Sequence, residues 1–256
     1  MSALPPLPRL IFTLTTGRSG TGYLAQVLDC LPGVTATHEP PPRLHKWMRQ
    51  VLGDTEAGIR FWRQEKLPAI ARCRTPIYAE TSHLFGKGFF EPLVELGVVP
   101  DLILLQRPAR QVAASLYGLN TIPGRTPLGQ TYYLGPEDPV FLPLPQWRDL
   151  HDYQLCYWYC LETQRRQTHY ARRVRELGGR VVEVALDELS GPAGIERLMG
   201  ELQLPRPGPW GRWRLARLWR RKVNTKARRK QRHLPPEEMA RLEAELLERL
   251  SEEGSG

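Results

Sequence analysis

The feature that most constrains the fold of this chain is a Gly-rich turn near its N-terminus. Residues 9–16 form an apolar run that predicts a buried strand, and residues 23–31 carry apolar side chains at helical spacing. Between them, residues 17–22 contain three glycines. Because a Gly-rich turn between a strand and a helix gathers backbone N–H groups at the helix N-terminus, we expect this turn to bind a phosphate.

The side chains of the turn add further hydrogen-bond donors. Arg18 carries a positive charge on a fork of N–H groups, and Ser19 and Thr21 carry hydroxyls. A tight connection without any ligand is the alternative interpretation of the turn. We treat six consecutive residues as candidates for nucleotide binding: Arg18, Ser19, Gly20, Thr21, Gly22 and Tyr23.

The glycine spacing is that of a Walker A phosphate loop, but two residues of that motif are missing. Tyr23 stands where the motif has the lysine that binds the γ-phosphate, and Leu24 stands where it has the hydroxyl that binds Mg²⁺. An ATPase or a nucleotide kinase would therefore lack both groups. A nucleotide kinase is kept as an alternative hypothesis, which predicts binding of Mg·ATP.

Strand and helix patterns alternate along the chain, which predicts the α/β fold class. We expect one domain over residues 1–256, built as a three-layer sandwich with a central parallel sheet flanked by helices. The predicted strands are 9–16, 34–37, 76–80, 101–106 and 180–185. The predicted helices are 23–31, 44–71 with a break near Gly53, 89–96, one that begins after Pro108, 149–177, 192–202 and 235–250.

Candidate binding groups follow the ends of four predicted strands. They are the turn 17–22, the pair His38-Glu39, residues 80–83, and Arg107. Ligands of open parallel sheets bind in the crevice outside the carboxyl ends of the strands. We therefore expect these groups to face a common site.

Arg107 and Ser115 predict a second anion-binding element. A strand-end arginine such as Arg107 can bind a phosphate through two parallel hydrogen bonds. Ser115 follows eight residues later, about two helical turns along and on the same side. Together with the run Arg18-Ser19-Gly20-Thr21, this pattern resembles the sulfotransferases that use 3'-phosphoadenosine 5'-phosphosulfate (PAPS).

The resemblance implies a P-loop-NTPase-like fold and an enzyme that moves a sulfuryl group from PAPS to a hydroxyl or amine. It implies that the turn binds the 5'-phosphate, that Arg107 and Ser115 hold the 3'-phosphate, and that no metal is required. The product that stays bound is then the bisphosphate PAP. Gly22 departs from the family, which has Thr or Ser at that place. Three residues of the tail resemble contacts in a segment that closes over the nucleotide: Asn224, Thr225 and Lys230.

The expected chemistry is an in-line transfer through a loose transition state, in which positioning and charge stabilisation dominate. Arg18 is the predicted stabiliser of charge on the leaving phosphate. Glu39 is the predicted base, as a glutamate is in similar enzymes, and His83 is the alternative base. Ser82 could support the donor or the acceptor. A Glu39 that merely pairs with Arg43 or Arg18 is the structural alternative.

The sequence leaves the acceptor open among small molecules, carbohydrates and peptides. Residues 118–148 are rich in Gly, Pro and Tyr without a clear period, so we expect a long substrate loop there. We expect a cytoplasmic protein with reduced thiols, because the four cysteines show neither a C-x-x-C pair nor zinc spacing. No signal peptide is expected, and no apolar run is long enough to predict a membrane span.

The net charge of +9 is concentrated in one segment. Residues 212–232 hold eleven Lys and Arg and no acidic residue, which leaves 25 basic against 27 acidic residues elsewhere. We interpret residues 205–234 as a basic segment that covers the nucleotide. Because Trp side chains are interleaved with the basic ones, the main non-enzyme hypothesis is a module that binds nucleic acid or another anionic polymer on a degenerate P-loop fold. Nucleic acid is not the partner that we expect.

Overall fold

A computed structural model of the chain describes residues 4–220 and 232–253. The architecture is α/β, with a sheet of five parallel strands flanked by helices, as the alternating pattern predicts. The strands are β1 (Arg9–Leu14), β2 (Val34–His38), β3 (Ile77–Thr81), β4 (Asp101–Gln106) and β5 (Val181–Ala185). Each lies where the sequence predicts a strand.

The central strands are apolar because both faces of the sheet are covered. In β1, Phe12 packs into one apolar core and its neighbour Ile11 into the other. In β4, Leu102 and Ile103 divide between the same two cores. A strand buried on both faces has an uninterrupted apolar run instead of an alternating one, which explains why these two strands were easy to predict.

The strand order is β2-β3-β1-β4-β5, which produces a switch point in the sheet. The chain leaves β1 toward β2 at one edge and leaves β4 toward β5 at the other edge. Because β1 and β4 are paired neighbours, their outgoing connections diverge at their carboxyl ends, the place where ligands of open parallel sheets bind. The Gly-rich turn follows β1, and Arg107 follows β4.

Each predicted helical stretch contains α-helices with adjusted ends, and two further helices, Pro127–Tyr132 and Pro209–Trp219, lie in stretches where no helix is predicted. The α-helices are α1 (Thr21–Leu28), α2 (Met48–Val51), α3 (Thr55–Phe61), α4 (Leu67–Ala71), α5 (Phe90–Glu95), α6 (Ala109–Gly118), α7 (Pro127–Tyr132), α8 (Asp152–Glu176), α9 (Pro192–Glu201), α10 (Pro209–Trp219) and α11 (Pro236–Glu253). A π-helical stretch, Trp62–Lys66, joins α3 to α4. The predicted break near Gly53 is confirmed, since Gly53 has a φ of 77° after α2 ends.

The chain divides into two compact units. The first holds the described residues of Met1–Thr15, Ser19–Gln106 and Gln167–Val223, and it contains the whole sheet with both apolar cores. The second holds the described residues of Thr16–Arg18, Arg107–Arg166 and Asn224–Gly256. In the second unit, α8 and α11 are joined by buried polar contacts: Tyr153 donates to Glu243 Oε1 at 2.6 Å, and Gln154 donates to the carbonyl of Leu242 at 3.0 Å.

The prediction of an unstructured loop over residues 118–148 is wrong in part. α7 lies inside this stretch and begins with a helix-start signal, because Thr126 accepts a hydrogen bond from the N–H of Gly129 and Pro127 opens the helix. Further along, buried Glu162 accepts from the N–H groups of Phe141 and Leu142 at 2.9 and 2.7 Å. The loop is therefore anchored at its middle and near its end.

The structure also bears on the remaining expectations from composition. Among the residues it describes, no helix has both the length and the apolar character needed to cross a membrane. All four cysteines are free thiols. Burial raises the pKa of Cys156 and of Cys160, so both thiols stay protonated and unreactive at neutral pH.

Candidate functional site

The Gly-rich turn takes a backbone shape that few sequences allow. Arg18 has a φ of 69° and Gly20 a φ of 89°, both in the left-handed region. A Cβ on Gly20 would come within 2.5 Å of the Leu186 side chain, so only glycine fits there. Gly20 is the N-cap of α1 and supplies no side-chain cap, which leaves the first N–H groups of that helix to a ligand.

Gly17, at the start of the turn, is enclosed by two tyrosines of the second unit. A Cβ on Gly17 would lie 2.5 Å from the Tyr133 ring, and the N–H of Gly17 donates to the Tyr159 hydroxyl at 3.4 Å. The two rings meet edge to face at 5.1 Å. The contact with Tyr159 is not predicted, because an interaction with a residue 142 positions away leaves no local signal in the sequence.

Three predicted anion-binding residues meet in the second unit. Arg107 donates from Nη1 to the backbone carbonyl of Arg18 at 2.5 Å. Arg18 in turn donates from Nε to the hydroxyl of buried Ser115 at 3.3 Å. The segment after β1, the residue after β4 and the helix α6 thus supply one polar cluster, which we call the arginine cluster (Arg18, Arg107, Ser115).

The arginine cluster carries two positive charges, on Arg18 and Arg107. Within residues 4–220 and 232–253, neither Arg18 nor Arg107 forms an ion pair. The only side-chain partner of Arg107 in this range is Gln111, at 3.3 Å. Burial and the nearby charge of Arg18 lower the pKa of Arg107. Two partly buried cations without an anion are costly, so this arrangement suits an anionic ligand.

Glu39 lies in the first unit, directly after β2, with a left-handed φ of 48°. Its Oε1 accepts a hydrogen bond from Ser82 at 3.3 Å and lies 3.8 Å from His83 Nε2. The two alternative bases, Glu39 and His83, are therefore neighbours. Among the described residues no arginine is within ion-pair distance of Glu39, so its predicted alternative pairing with Arg43 or Arg18 is not observed.

Burial and a neighbouring lysine keep His83 neutral. Lys87 donates from Nζ to His83 Nδ1 at 3.0 Å. Burial, and then the charges of Lys87, His38 and His45, lower the pKa of His83 well below its usual value. His83 is therefore neutral at pH 7, with its proton on Nε2, the nitrogen that faces Glu39. In this tautomer Nε2 carries a proton, and its distance of 3.8 Å from Glu39 Oε1 is too long for a hydrogen bond.

A second buried lysine holds the segment that follows Glu39. Lys66 forms an ion pair with Glu80 at 2.7 Å and donates to the carbonyls of Pro40 and Pro42 at 3.3 and 3.0 Å. Tyr78 donates to the same carboxylate at 2.7 Å. Burial raises the pKa of Glu80, and the Lys66 ammonium opposes that rise. This group positions the backbone next to the candidate base, and nothing in the sequence pairs Lys66 with Glu80 in advance.

The structure describes only some of the remaining predicted site residues. Tyr23 donates from its backbone to Gly20 and from its hydroxyl to the carbonyl of Leu189, so its role in nucleotide binding stays a prediction. Asn224, Thr225 and Lys230 lie outside the described residues. In the part of the chain that is described, no cluster of His, Cys, Asp and Glu side chains could hold a metal ion.

Two comparisons with known proteins found no match. No protein-family model matches the chain, and no curated protein matches it either. Its function must be inferred from its own residues. The arginine cluster and the group around Glu39 are the two features that any function has to explain.

Proposed function

We propose that this chain is a PAPS-dependent sulfotransferase with a P-loop-NTPase-like fold. The observation that carries the proposal is the arginine cluster, in which Arg18, Arg107 and Ser115 are hydrogen-bonded together without a carboxylate among the described residues. Two guanidinium groups and a hydroxyl are the donors that a phosphate needs. With the turn at the start of α1, they provide for the two phosphates of a bisphosphate nucleotide.

The same residues argue against a nucleoside triphosphate as the ligand. Tyr23, which replaces the Walker A lysine, turns inward and donates its hydroxyl to the carbonyl of Leu189 at 3.1 Å. Leu24, which replaces the magnesium-binding hydroxyl, is fully buried in the core. Neither side chain can contact a γ-phosphate or its Mg²⁺. PAPS has no γ-phosphate, so the loss of both groups is compatible with it.

In the proposed reaction the acceptor oxygen or nitrogen attacks the sulfur of PAPS. The new bond to sulfur forms as the bond from sulfur to the 5'-phosphate oxygen breaks, and the electron pair leaves with PAP. Arg18 stabilises the negative charge that develops on the leaving phosphate. Glu39 accepts the proton of the acceptor. His83 offers its Nε2 proton to the acceptor and so helps to hold it in place.

The hydrogen bonds around Glu39 and His83 support Glu39 as the base in this proposal. Lys87 occupies Nδ1 of His83, and the proton on Nε2 leaves that ring without a free lone pair. Glu39 keeps a partly exposed carboxylate that only Ser82 approaches within hydrogen-bond distance among the described residues. A carboxylate is the weaker base, but it is the group able to accept a proton here.

The proposal leaves three classes of acceptor open. Small molecules, carbohydrates and peptides all supply a hydroxyl or an amine, and the segment 118–148 is the part of the chain that we expect to bind them. We also propose that the enzyme works in the cytoplasm, where its four thiols stay reduced.

Two measurements test the proposed function. A thermal-shift screen should show stabilisation by PAP and none by Mg·ATP, because a ligand that binds only the native state raises its melting temperature. Transfer of radiolabelled sulfate from PAPS to a panel of acceptors should then identify the substrate. Tight binding of RNA or DNA at physiological salt without any PAP-dependent shift would instead support the nucleic-acid-binding module.

A further inference from the structure

Helix α10 combines a buried inner face with an unusually apolar outer face. On the inner face Leu215 is buried in the sheet core, and a Cβ on Gly211 would lie 2.4 Å from the carbonyl of Cys30. On the outer face the side chains of Trp210 and Trp213 are 67% and 50% exposed. Exposing two indole rings is unfavourable in water, so such a pair indicates a binding surface.

The two exposed rings form one rigid patch bordered by positive charge. Trp210 and Trp213 stack with their centroids 4.6 Å apart and their planes at 17°. The guanidinium of Arg217 lies 5.7 Å above the Trp213 ring, and Arg212 is exposed beside it. We call these four residues the tryptophan patch (Trp210, Arg212, Trp213, Arg217).

The stretch of sequence that contains the tryptophan patch carries only positive charges. No Asp or Glu occurs between residues 202 and 236. The only ion pair that α10 makes with described residues joins Arg214 to Asp29, at 2.7 Å, on the side toward α1. The arginines of the outer face therefore keep their charge for an anionic partner.

We propose that the tryptophan patch binds the surface of an anionic phospholipid bilayer. Indole rings prefer the headgroup level of a membrane, where the apolar ring is buried and the N–H stays wet. Arginines on the same face pair with lipid phosphates and with anionic headgroups. α10 would lie flat in the interface without crossing it. This inference does not rest on the sulfotransferase proposal.

Ring geometry favours lipid over single-stranded nucleic acid. Proteins that bind single strands present free aromatic faces along a basic groove, on which successive bases stack. Here Trp213 is already stacked on Trp210 and has Arg217 over its ring, so little of its face is left for a base. Insertion of ring edges into a headgroup layer does not require a free ring face.

Vesicle co-sedimentation of the full chain tests this proposal. We expect binding to phosphatidylcholine vesicles that contain phosphatidylserine, with a blue shift of tryptophan fluorescence, and weak binding to phosphatidylcholine alone. The double variant Trp210→Ala/Trp213→Ala should bind about tenfold more weakly, since each ring contributes buried apolar area. Arg212→Gln/Arg217→Gln should lose much of the dependence on phosphatidylserine.

Control variants distinguish vesicle binding by the tryptophan patch from nonspecific binding by exposed apolar side chains. Leu128 and Leu247 are 55% and 46% exposed on other helices, and their change to Ala should leave vesicle binding unchanged. Circular dichroism should show that every variant is folded, because Leu215 and Gly211 anchor α10 from its inner face. Equal vesicle binding by the double tryptophan variant and the wild type would overturn the proposal. So would the absence of vesicle binding, or a patch-dependent preference for single-stranded RNA.

Discussion

Arg107 donates a hydrogen bond at 2.5 Å to the backbone carbonyl of Arg18, whose φ of 69° is left-handed. The residue that follows one central strand thus holds the turn that follows the neighbouring strand. A left-handed backbone at a non-glycine residue costs energy and persists only when its surroundings enforce it. Arg107 is part of that enforcement, so the turn and the second anchor are expected to act together.

Loss of Arg107 should therefore weaken nucleotide binding more than loss of an ordinary surface charge. We expect Arg107→Gln to reduce PAP affinity about 10- to 100-fold, the range for hydrogen bonds to charged groups. Titration calorimetry measures the change. Arg74 is exposed on the surface, and Arg74→Gln should leave the affinity unchanged. Similar affinities in both variants would contradict the assignment of Arg107.

Gly20 should contribute to the free energy of unfolding even when no ligand is bound. Gly20→Ala places a Cβ at a φ of 89° and 2.5 Å from Leu186, so we expect a loss of about 1–3 kcal/mol in the free energy of unfolding. Gly200 is the matched control, since a Cβ there meets nothing within 4 Å inside α9. Gly200→Ala should be neutral or stabilising by about 0.5–1 kcal/mol. Urea unfolding compares the two, and equal losses would contradict the described turn.

Glu39 should be required for transfer and dispensable for nucleotide binding. Glu39→Gln keeps the size of the side chain and removes the base, so we expect sulfate transfer to fall about 100-fold or more. PAP affinity should stay within about twofold, because the proposed phosphate contacts lie elsewhere. His83→Ala should cost less than Glu39→Gln. Near-normal turnover by Glu39→Gln would refute Glu39 as the base.

The charge of Lys87 should lower the pKa of His83. Burial and the charges of Lys87, His38 and His45 depress the pKa of His83, while Glu39 is the one carboxylate near it among the described residues. In the folded state His83 therefore stays neutral as the pH falls below 6.5, whereas the unfolded chain gains a proton there. The native state then loses stability as the pH drops through that value.

Removing the Lys87 charge should relieve part of this effect. In Lys87→Met we expect the pKa of His83 to rise, and the acid-induced loss of stability to become shallower. The pKa is followed by NMR from the imidazole C–H signals, and stability by urea unfolding at several pH values. Loss of packing alone would lower stability equally at every pH. An unchanged His83 pKa in the variant would contradict the hydrogen bond from Lys87.

The strands and the Gly-rich turn could be predicted because their signals are local. Phe12 and Leu102 belong to apolar runs whose length and composition are typical of strands covered on both faces. The arginine cluster was also predictable, since Arg107 follows a strand end and Ser115 follows at helical spacing. What the pattern could not supply is the hydrogen bond from Arg107 to Arg18, 89 residues apart.

The features that were missed are long-range, or are hidden by composition. The ion pair between Lys66 and Glu80 has no local signal in the sequence, because only the fold brings the two residues together and buries both. α7 carries a start signal at Thr126 and Pro127, but the Gly, Pro and Tyr around it obscured the helix. The sequence of α10 shows no clear helical pattern. It contains many arginines, and its buried side consists of little more than Gly211 and Leu215.

Discrimination between PAP and adenosine 5'-phosphate tests the central claim most directly. The two nucleotides differ in the 3'-phosphate, which only a two-point site can recognise, and calorimetry on the wild-type chain measures both Kd values. We predict that PAP binds about 100-fold more tightly, as expected for several charge-assisted hydrogen bonds, and that Mg·ATP binds no better than adenosine 5'-phosphate. Equal affinity for PAP and adenosine 5'-phosphate, or a preference for Mg·ATP, would contradict the proposed function.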